Sequence, residues 1–266
     1  MSSKKLKDVQ NLKDYRGIDI QKVGVKNVEV PLNIQRKNDK EQIVCARAKM
    51  SVSLPKDYKG THMSRFIEIL TEWGQKNLLG DDIKGCLEEI ILKLYAKSAE
   101  LKFEFKYFID KKAPVSGLSC PMGYDCSFEG VLDKNNYRFI LGVNVPVTTL
   151  CPCSKEISDY GAHNQRTLTK VEISYDTDSI IWLEDLIELI ESCGSSPVYP
   201  LLKRDDEKYV TEQAYNNPKF VEDVLRDTVS KLRNIKEINW FKVDCEAFES
   251  IHNHSAWAYQ EEHFLL

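Results

Sequence analysis

Apolar and polar residues alternate along several stretches of this chain, and a period of two is typical of strands with one buried face. The clearest stretch runs from Val44 to Leu54, where every even-numbered residue is apolar. Because proline has no N–H to donate, the earlier run from Lys22 predicts an edge strand interrupted at Pro31. Further strands are predicted at residues 101–109, 126–132, 139–147, 171–175 and 241–247, with a hairpin partner for the last at 254–264.

Apolar residues spaced three or four apart predict helices between these strands. One helix is predicted from Met63 to Trp73, and a second from Asp81 to about Lys97. A third is predicted from Ile181 to Cys193. The fourth should follow Asn217, a candidate N-cap, with Pro218 at the first helical position. Each half of the chain therefore has the predicted order strand, strand, helix, helix, strand, strand.

The polar turn Asp133-Lys134-Asn135-Asn136 restarts that order, which predicts a duplicated architecture. We expect a polar N-terminal segment at residues 1–21, a first module at 22–134 and a second module at 135–266. Each module would be an antiparallel four-stranded sheet with two helices on one face, which is an α+β fold. Such sheets have open edges that invite partner chains. A symmetric oligomer that closes the sheets into barrels would cover those edges.

The composition is that of a globular chain able to bury a full core, since 42% of the 266 residues are hydrophobic. The net charge of -4 and the pI of about 5.8 argue against a nucleic-acid-binding protein, which would be basic. The first residues lack the apolar run of a signal peptide, and no stretch approaches the roughly 18 consecutive apolar residues of a membrane span. We therefore expect a cytoplasmic protein with no nucleic-acid or membrane partner.

Eight cysteines in a chain expected to be cytoplasmic predict reduced thiols, some of them ligating or catalytic, rather than a disulfide framework. Cys120 and Cys126 are interpreted as loop thiols around a Pro-Met-Gly-Tyr-Asp segment. Four others fall within predicted strands or helices and are interpreted as core residues. These four are Cys45, Cys86, Cys193 and Cys245.

The segment from Thr148 to Arg166 has the composition of a chemical site. Cys151 and Cys153 are separated only by Pro152, which stiffens the pair, and His163 follows ten residues after Cys153. Thiolate and imidazole side chains bind zinc-like metals or perform nucleophilic and acid–base chemistry near neutral pH. A structural zinc site, or simply two buried thiols, would also explain the pattern.

Charged residues farther along the chain offer additional ligands. Residues 203–208 are too charged for a simple connection, although a solvated loop also explains them. Glu222 and its acidic neighbour lie near a predicted helix start, where the helix dipole alone accounts for them. Glu249, His252 and His254 supply a carboxylate and two imidazoles, and a hairpin turn would bring Glu249 and His252 together. One Cys, one Glu and one His around a metal with an open position would suit a hydrolytic site.

Long motifs in these segments carry a family resemblance. They are L-C-P-C-S-K-E-I-S-D-Y-G-A-H-N-Q-R, L-L-K-R-D-D-E-K-Y-V-T-E-Q-A-Y-N-N-P-K-F-V-E-D and E-S-I-H-N-H-S-A-W-A, with D-V-Q-N and K-G-T-H-M-S-R-F nearer the start. From about Asp8 to Tyr259 the chain resembles the type IB GTP cyclohydrolases of prokaryotes. The resemblance implies two tandem tunnelling-fold (T-fold) modules and a homotetramer with active sites at subunit interfaces. It also implies conversion of GTP to 7,8-dihydroneopterin triphosphate and formate, for folate or deazaguanine synthesis.

The same resemblance implies a divalent metal, zinc or manganese, and a role for each motif residue. Cys153 resembles the essential active-site thiol of the family, and His163 would serve in proton transfer. Glu222 resembles the carboxylate that anchors guanine by accepting hydrogen bonds from N1–H and the exocyclic amine. The implied metal ligands are Cys151, Glu207, Glu249 and His252. The candidates for binding the triphosphate are Lys155, Arg166, Lys203 and Arg204.

Two other functions fit parts of the pattern. The nitrile reductase of queuosine synthesis is a related tunnelling-fold enzyme with a cysteine and a purine-anchoring glutamate. It needs a nicotinamide cofactor, and its E-S-K-type motif is not apparent in this sequence. A catalytically silent purine-binding or zinc-binding scaffold would instead use the C-P-C segment as a structural zinc site with no open position.

Overall fold

A computed structural model describes residues 9–10, 12–38, 40–78, 80–134, 136–176 and 178–264. The fold of these residues is α+β, as the sequence predicts. The helices are α1 (Met63–Trp73), α2 (Gly80–Leu94), α3 (Pro152–Ile157), α4 (Leu183–Glu191), α5 (Arg204–Asn216) and α6 (Val221–Leu232). The strands are β1 (Ile20–Gln35), β2 (Glu41–Leu54), β3 (Asn77–Leu78), β4 (Ser98–Lys112), β5 (Ser119–Asp133), β6 (Asn136–Leu150), β7 (Asn164–Tyr175), β8 (Ser196–Pro197), β9 (Ile238–Ala247) and β10 (Ala256–His263). Within the described ranges, no helix is long and apolar enough to cross a membrane.

The chain separates into two compact units, and strands β4, β5 and β6 contribute residues to both. Unit 1 contains the described residues within 1–35, 39–105 and 128–139, and unit 2 contains those within 36–38, 106–127 and 140–266. In unit 1 the strands hydrogen-bond in the order β6-β5-β4-β2-β1-β3. In unit 2 the order is β10-β9-β7-β6-β5-β4, and β8 pairs with β6. The pairs β1–β2, β2–β4, β6–β7, β7–β9 and β9–β10 are antiparallel, whereas β3 is parallel to β1.

The predicted order of elements is present in both halves of the sequence. The first half runs β1-β2-α1-α2-β4-β5, and the second half runs β6-β7-α4-α6-β9-β10. A two-residue strand, β3 or β8, lies between the helices of each half. The second half contains two further helices, α3 and α5, which the hydrophobic pattern does not predict. Both of these helices carry candidate site residues.

Unit 1 is built around the predicted strand β2. Its even-numbered residues from Val44 to Leu54 are all buried, each at most 7% exposed. Helix α1 packs on β1 and on α2, and α2 packs on β2. Phe66 and Leu70 of α1 are buried, and full burial of one such side chain stabilises the fold by roughly 1.5–3 kcal/mol. The apolar spacing that predicts α1 consists of Met63, Phe66, Ile67, Leu70 and Trp73. It is wrong in two positions, because Met63 and Ile67 are exposed, whereas Ile69 is buried.

Gly130 of β5 lies where α2 approaches the sheet of unit 1. A Cβ atom at this position would lie 2.5 Å from Ile83 Cγ2 and 2.9 Å from Leu87 Cδ1. Both helix side chains are completely buried, so neither has room to move away. Glycine is therefore required here for close packing of α2 on the sheet.

Unit 2 contains the second helix pair and the candidate site. Helices α4 and α6 contact each other, and α6 packs on β9 and β10. Strands β7 and β9 bury Val171, Ile173, Phe241 and Val243 completely. The buried apolar residues of the helices are Leu183, Leu186, Ile187 and Ile190 on α4 and Val221, Val224, Val229 and Leu232 on α6. This core fixes the ends of β7 and β9, where the candidate site lies.

Two predictions about strands are wrong. Cys120 and Cys126 lie within the long strand β5 and not in a loop. Cys126 faces the interior, and its burial raises the pKa of its thiol. Strand β1 continues through Pro31, which lies opposite Cys45 of β2 without ending the pairing. Along most of β1 the side away from β2 has no strand partner among the described residues, so the missing proline N–H costs no ladder hydrogen bond.

The charged segment after β8 is helical and is not a solvated loop. It forms α5, whose first turn contains Asp205, Asp206 and Glu207. Acidic residues in the first turn stabilise a helix through its dipole. The predicted cap of the next helix is also wrong, because Asn217 ends α5 and Phe220 is the N-cap of α6.

Candidate active site

The C-P-C segment forms a tight turn from strand β6 into helix α3. Cys151 is the N-cap of α3, and its Sγ accepts the Ser154 N–H at 3.5 Å. Pro152 occupies the first turn, where the missing N–H costs no helical hydrogen bond. Cys151 is half-buried, whereas Cys153 is exposed on the first turn of α3. The two thiols of the pair therefore lie in different environments.

The end of β6 is held from two sides. Leu150, the residue before Cys151, donates its N–H to Ser195 Oγ at 3.1 Å and accepts the Lys219 N–H at 3.0 Å. Asn217 donates from Nδ2 to the carbonyl of Ser195 at 3.3 Å. The segment that follows α5 thus fixes the position from which the C-P-C turn begins. The sequence interpretation of Asn217 as a helix cap missed this role.

His163 lies directly beside the C-P-C turn. The Cys151 N–H donates to the His163 carbonyl at 3.1 Å. The Ser154 hydroxyl donates to the Cys151 carbonyl at 3.2 Å and accepts the His163 N–H at 3.2 Å. The structure therefore brings Cys151 and His163, ten or more residues apart in sequence, into one hydrogen-bonded turn.

The imidazole of His163 is mostly buried and has polar neighbours on one side. Its Nδ1 lies 3.0 Å from Gln165 Oε1 and 3.8 Å from Glu249 Oε2. Gln165 Nε2 donates in turn to Thr149 Oγ1 at 3.3 Å, and Thr149 Oγ1 lies 2.8 Å from Thr167 Oγ1. Both threonines are completely buried. Thr149 and Thr167 occupy the same alternate positions of β6 and β7 as the buried valines of these strands. A threonine in such an apolar series is the sequence signal for this network.

Glu249 reaches this imidazole because the β7–β9 pairing continues past its last register pair. The Phe248 N–H donates to the Arg166 carbonyl at 2.9 Å, which places the next residue beside His163. The Glu249 side chain is only 15% exposed, and its buried Oε2 has no hydrogen-bond partner. A buried carboxylate oxygen without a donor is costly unless a ligand or cation completes it.

The candidate metal ligands are brought together only in part. His252 is exposed, and its ring stacks on His254 with 5.2 Å between the ring centroids. Glu207 is exposed in the first turn of α5. Thiolate, imidazole and carboxylate donors suit a zinc-like ion, and the unpaired Glu249 oxygen is a suitable ligand atom. In the part of this single chain that the structure describes, however, no three His, Cys, Asp or Glu side chains form a group that could hold a metal.

Glu222, the candidate guanine anchor, is exposed in the first turn of α6. The neighbouring Asp223 performs the capping, since its Oδ2 accepts the Phe220 N–H at 3.0 Å. Asp223 also accepts from Arg226 Nη1 at 3.0 Å. Among the described residues, Glu222 has no hydrogen bond or ion pair. Its carboxylate is therefore available to a ligand.

The four basic candidates differ in their contacts. Lys155 Nζ donates to the backbone carbonyl of Tyr215 at 2.5 Å and lies 4.2 Å from the centroid of the Tyr215 ring. This contact joins α3 to the end of α5. Arg166, Lys203 and Arg204 are exposed. Lys155 thus has a structural partner, while the other three present cationic side chains at the surface.

A cavity of about 620 Å³ adjoins the C-P-C turn within unit 2. Its walls are the end of β6, the loop at residues 159–162 and one face of α5. Asn164, Thr211 and Tyr215 are among the residues that line it. Its volume falls within the range of about 300–1,000 Å³ that is common for ligand pockets.

Asp206 is a structural residue that the sequence did not distinguish from its neighbours. Its carboxylate is completely buried and accepts the N–H groups of Val115, Ser116 and Lys203 at 2.8, 2.8 and 2.9 Å, and the Ser116 hydroxyl at 2.7 Å. Burial raises the pKa of this carboxyl, but the four hydrogen bonds lower it by more, and the pKa lies well below its ordinary value. Asp206 therefore ties the start of α5, with Lys203 and Glu207, to the turn that precedes β5.

Helix α4 is attached by two carboxylates that are only partly exposed, at 20% for the Glu184 side chain and 13% for Glu191. Glu184 accepts a hydrogen bond from Tyr107 at 2.7 Å, and Glu191 accepts one from Tyr124 at 2.7 Å. Lys111 also pairs with Glu191, and both side chains are nearly buried. Burial and the neighbouring carboxylates raise the pKa of both tyrosines. The hydrophobic pattern predicts the helix but contains no sign of these contacts.

Comparisons with known proteins give the family of this chain. A family model described as type I GTP cyclohydrolase folE2 matches residues 6–258. The "GTP cyclohydrolase FolE2" of Geotalea uraniireducens (strain Rf4) is 54% identical over 253 residues, which cover 95% of this chain and 92% of that relative. The "GTP cyclohydrolase FolE2" of Dictyoglomus turgidum is 50% identical over 260 residues, covering 98% of this chain and 99% of the relative.

Solved structures resemble the fold at low sequence identity. A uricase from Arthrobacter globiformis aligns with 92% of this chain and 93% of its own, with a TM-score of 0.55 and 6% identity. A hyperthermostable mutant of the urate oxidase of Bacillus sp. TB-90 aligns with 92% of this chain and 98% of its own, with a TM-score of 0.52 and 7% identity. These two likenesses concern the fold alone. The family model and the relatives span nearly the whole sequence, and the chain belongs to the FolE2 family of type I GTP cyclohydrolases.

Proposed function

We propose that this protein converts GTP to 7,8-dihydroneopterin triphosphate and formate. The observation that carries the proposal is the match to the GTP cyclohydrolase family over residues 6–258. That range includes the turn that joins Cys151 to His163 and the Glu249 carboxylate beside the imidazole. The reaction would serve folate or deazaguanine synthesis.

The chemistry gives His163 and Cys153 separate tasks. Opening the imidazole ring of GTP requires water to add at C8, protons to reach the ring nitrogens and formate to leave. The later ribose rearrangement and ring closure again need a group that accepts and donates protons. The mostly buried imidazole of His163 suits these transfers. The exposed thiol of Cys153 is accessible to a bound substrate.

The proposed metal ligands are Cys151, Glu207, Glu249 and His252. A divalent zinc or manganese ion, when bound, would supply an activated water and polarise the substrate. The unpaired Oε2 of Glu249 supports its place in this set. Cys151 lies at the start of α3, while Glu207 would have to approach from the exposed surface of α5 and His252 from the turn after β9.

Recognition of GTP is proposed to use both ends of the substrate. Glu222 would accept two hydrogen bonds from the guanine edge, a bidentate match that other bases lack. Its lack of a partner within the described chain supports this role. Arg166, Lys203 and Arg204, which are exposed, would meet the triphosphate, and Lys155 is the fourth candidate.

We further propose that the chain forms two tandem T-fold modules and assembles as a homotetramer. The equivalent strand orders β5-β4-β2-β1 and β10-β9-β7-β6 support the modules. The exposed aromatic residues of β10, Trp257 and Tyr259, support a role for that strand in assembly. The type IB subgroup and the cytoplasmic location stay predictions of the sequence.

The decisive experiment measures formate released from GTP by the purified chain, with and without added zinc or manganese. We expect metal-dependent release of one formate per GTP, and loss of that release in Cys153→Ala. A protein that binds stoichiometric zinc and releases no formate under any metal condition would instead be the catalytically silent scaffold.

A further inference from the structure

The orientation of the Gln165 amide determines which nitrogen of His163 carries hydrogen. The amide presents its carbonyl oxygen to His163 Nδ1 at 3.0 Å and its NH₂ group to Thr149 Oγ1 at 3.3 Å. A carbonyl oxygen can only accept a hydrogen bond. Nδ1 must therefore donate, and in the neutral ring Nε2 then has the lone pair.

The amide is held in this orientation by the sheet beneath it. Thr149 and Gln165 are direct register partners of the antiparallel pair β6–β7, so their side chains leave the same face. Thr167 is two residues farther along β7 on that face, and its hydroxyl lies 2.8 Å from Thr149 Oγ1. Both threonines are completely buried, so their hydroxyls are not exposed to bulk solvent. Gln165 is thus fixed at both ends of its amide.

Glu249 is the competing partner for the same ring nitrogen. Its Oε2 lies 3.8 Å from Nδ1, which is beyond hydrogen-bond distance, and it has no other hydrogen-bond partner. A carboxylate would be the stronger acceptor if the ring turned toward it. Gln165 occupies Nδ1 and so keeps the Glu249 oxygen available for another group.

We propose that Gln165 is a positioning residue that fixes His163 in the Nδ1–H tautomer and leaves Nε2 as its only proton-accepting nitrogen. The Thr149–Thr167 pair orients the amide, and Gln165 keeps Glu249 from pairing with the imidazole. The inference about Gln165 deepens the proposed GTP hydrolysis and rests on it for its catalytic meaning. The tautomer follows from the orientation of the Gln165 amide, with Oε1 toward Nδ1 and Nε2 toward Thr149.

The test is nitrogen-15 NMR of the full chain labelled at its five histidines. The signals of His163 are identified by their loss in His163→Gln. We expect a protonated Nδ1 and an unprotonated Nε2 for His163 in the wild-type protein. The leucine of Gln165→Leu cannot accept a hydrogen bond from Nδ1–H. In this variant we expect the Nδ1–H signal to be lost or to be accompanied by the signal of the Nε2–H tautomer. In Gln165→Glu, whose carboxylate only accepts, the Nδ1–H signal should remain.

Two further variants sharpen the result. Thr149→Val removes the hydroxyl that orients the amide, so the amide can rotate and both tautomers should appear. Gln75→Leu replaces an exposed glutamine of unit 1 and should leave the His163 signals and formate release unchanged. Formate release by Gln165→Leu should fall about 100-fold or more, which is the contribution of a positioned acid–base group.

An Nε2–H tautomer in the wild-type protein would overturn the proposal, as would an unchanged Nδ1–H signal in Gln165→Leu. Failure of the proposed function has a different signature. In that case the wild-type protein would show the expected tautomer and Gln165→Leu would lose it, but the wild-type protein would release no formate from GTP. Gln165 would then still position His163, and the proposed reaction would be wrong.

Discussion

The Asp223 carboxylate accepts the Phe220 N–H at 3.0 Å, and this bond caps helix α6. The adjacent Glu222 is exposed and has no partner among the described residues. The two neighbouring acidic residues at the start of α6 therefore differ, since Asp223 is engaged in the cap and Glu222 can bind a ligand. Helix capping accounts for Asp223, whereas Glu222 takes no part in the cap.

Glu222→Gln should weaken binding of the transition state by about 2–3 kcal/mol, since the amide presents a donor where guanine also presents one. This corresponds to roughly 30- to 150-fold lower kcat/KM for GTP. The measurement is formate release over a range of GTP concentrations. Near-normal kcat/KM in this variant would mean that Glu222 does not hold the guanine edge.

Asp223→Asn is the matched control for that variant. It changes the cap of α6 and should lower the free energy of unfolding by up to about 1 kcal/mol. It should leave kcat/KM for GTP nearly unchanged, because Asp223 faces the Phe220 N–H. Urea unfolding of both variants separates the two effects.

The two thiols of the C-P-C turn should respond differently to replacement. Cys151 is half-buried at the helix cap and Cys153 is exposed, so a single ion is not expected to bind both sulfurs. Cys151→Ala should lose metal and activity together. Cys153→Ala should keep nearly stoichiometric metal and lose turnover, since a methyl group cannot replace a reacting thiol.

Elemental analysis of the two purified cysteine variants, beside the formate assay, decides this assignment. Equal metal loss in both would indicate a shared structural site. The catalytic role of Cys153 would then be withdrawn.

Asp206 should make stability depend on pH in the acid range. The pKa of its carboxyl in the folded protein lies well below the ordinary value of roughly 3.9 for an unfolded chain. Between these values the unfolded chain binds the extra proton, so stability rises with pH. The contribution is therefore complete above the ordinary pKa and is lost as pH falls through the folded pKa.

Asp206→Asn should accordingly destabilise the protein most at neutral pH, with a difference from wild type that shrinks below about pH 4. Denaturant unfolding of both proteins from pH 7 to pH 3 measures that difference. Asp205→Asn, at the exposed neighbouring position, is the control and should show little effect. A pH-independent difference for Asp206→Asn would contradict a buried, ionised carboxylate.

Strand β10 should make activity depend on assembly. It pairs with β9 on one side, and no strand among the described residues pairs with its other side. Trp257 on this strand is 61% exposed. We expect light scattering to show an oligomer. Dilution to concentrations at which this oligomer dissociates should reduce the activity per chain. A fully active monomer would contradict active sites formed between subunits.

The sequence predicts those parts of the fold in which burial follows a simple period. Strand β2 is an example, because every apolar residue of its predicted stripe is buried. Helix α5 was missed because its buried contacts come from Asp206 and Ala214 rather than from an apolar stripe. Cys126 was assigned to a loop because Pro121 and Gly123 resemble turn residues, yet both lie within β5.

The candidate site divides in the same way. Spacing alone pointed to Cys151 and His163, which the turn joins by hydrogen bonds. The Gln165–Thr149–Thr167 network depends on the register of β6 against β7, which a single sequence does not contain. Glu207 and His252 are exposed and lie apart from that turn's hydrogen bonds, and only the resemblance assigns them to the site.

Strand β6 ends at Leu150 and helix α3 begins at Pro152, so the only residue between them is Cys151. The amides of Cys151 and His163 are both hydrogen-bonded within this turn. Such amides exchange with deuterium only when a larger part of the structure opens. The thiol turn should therefore exchange more slowly than the exposed residues 250–255 between β9 and β10.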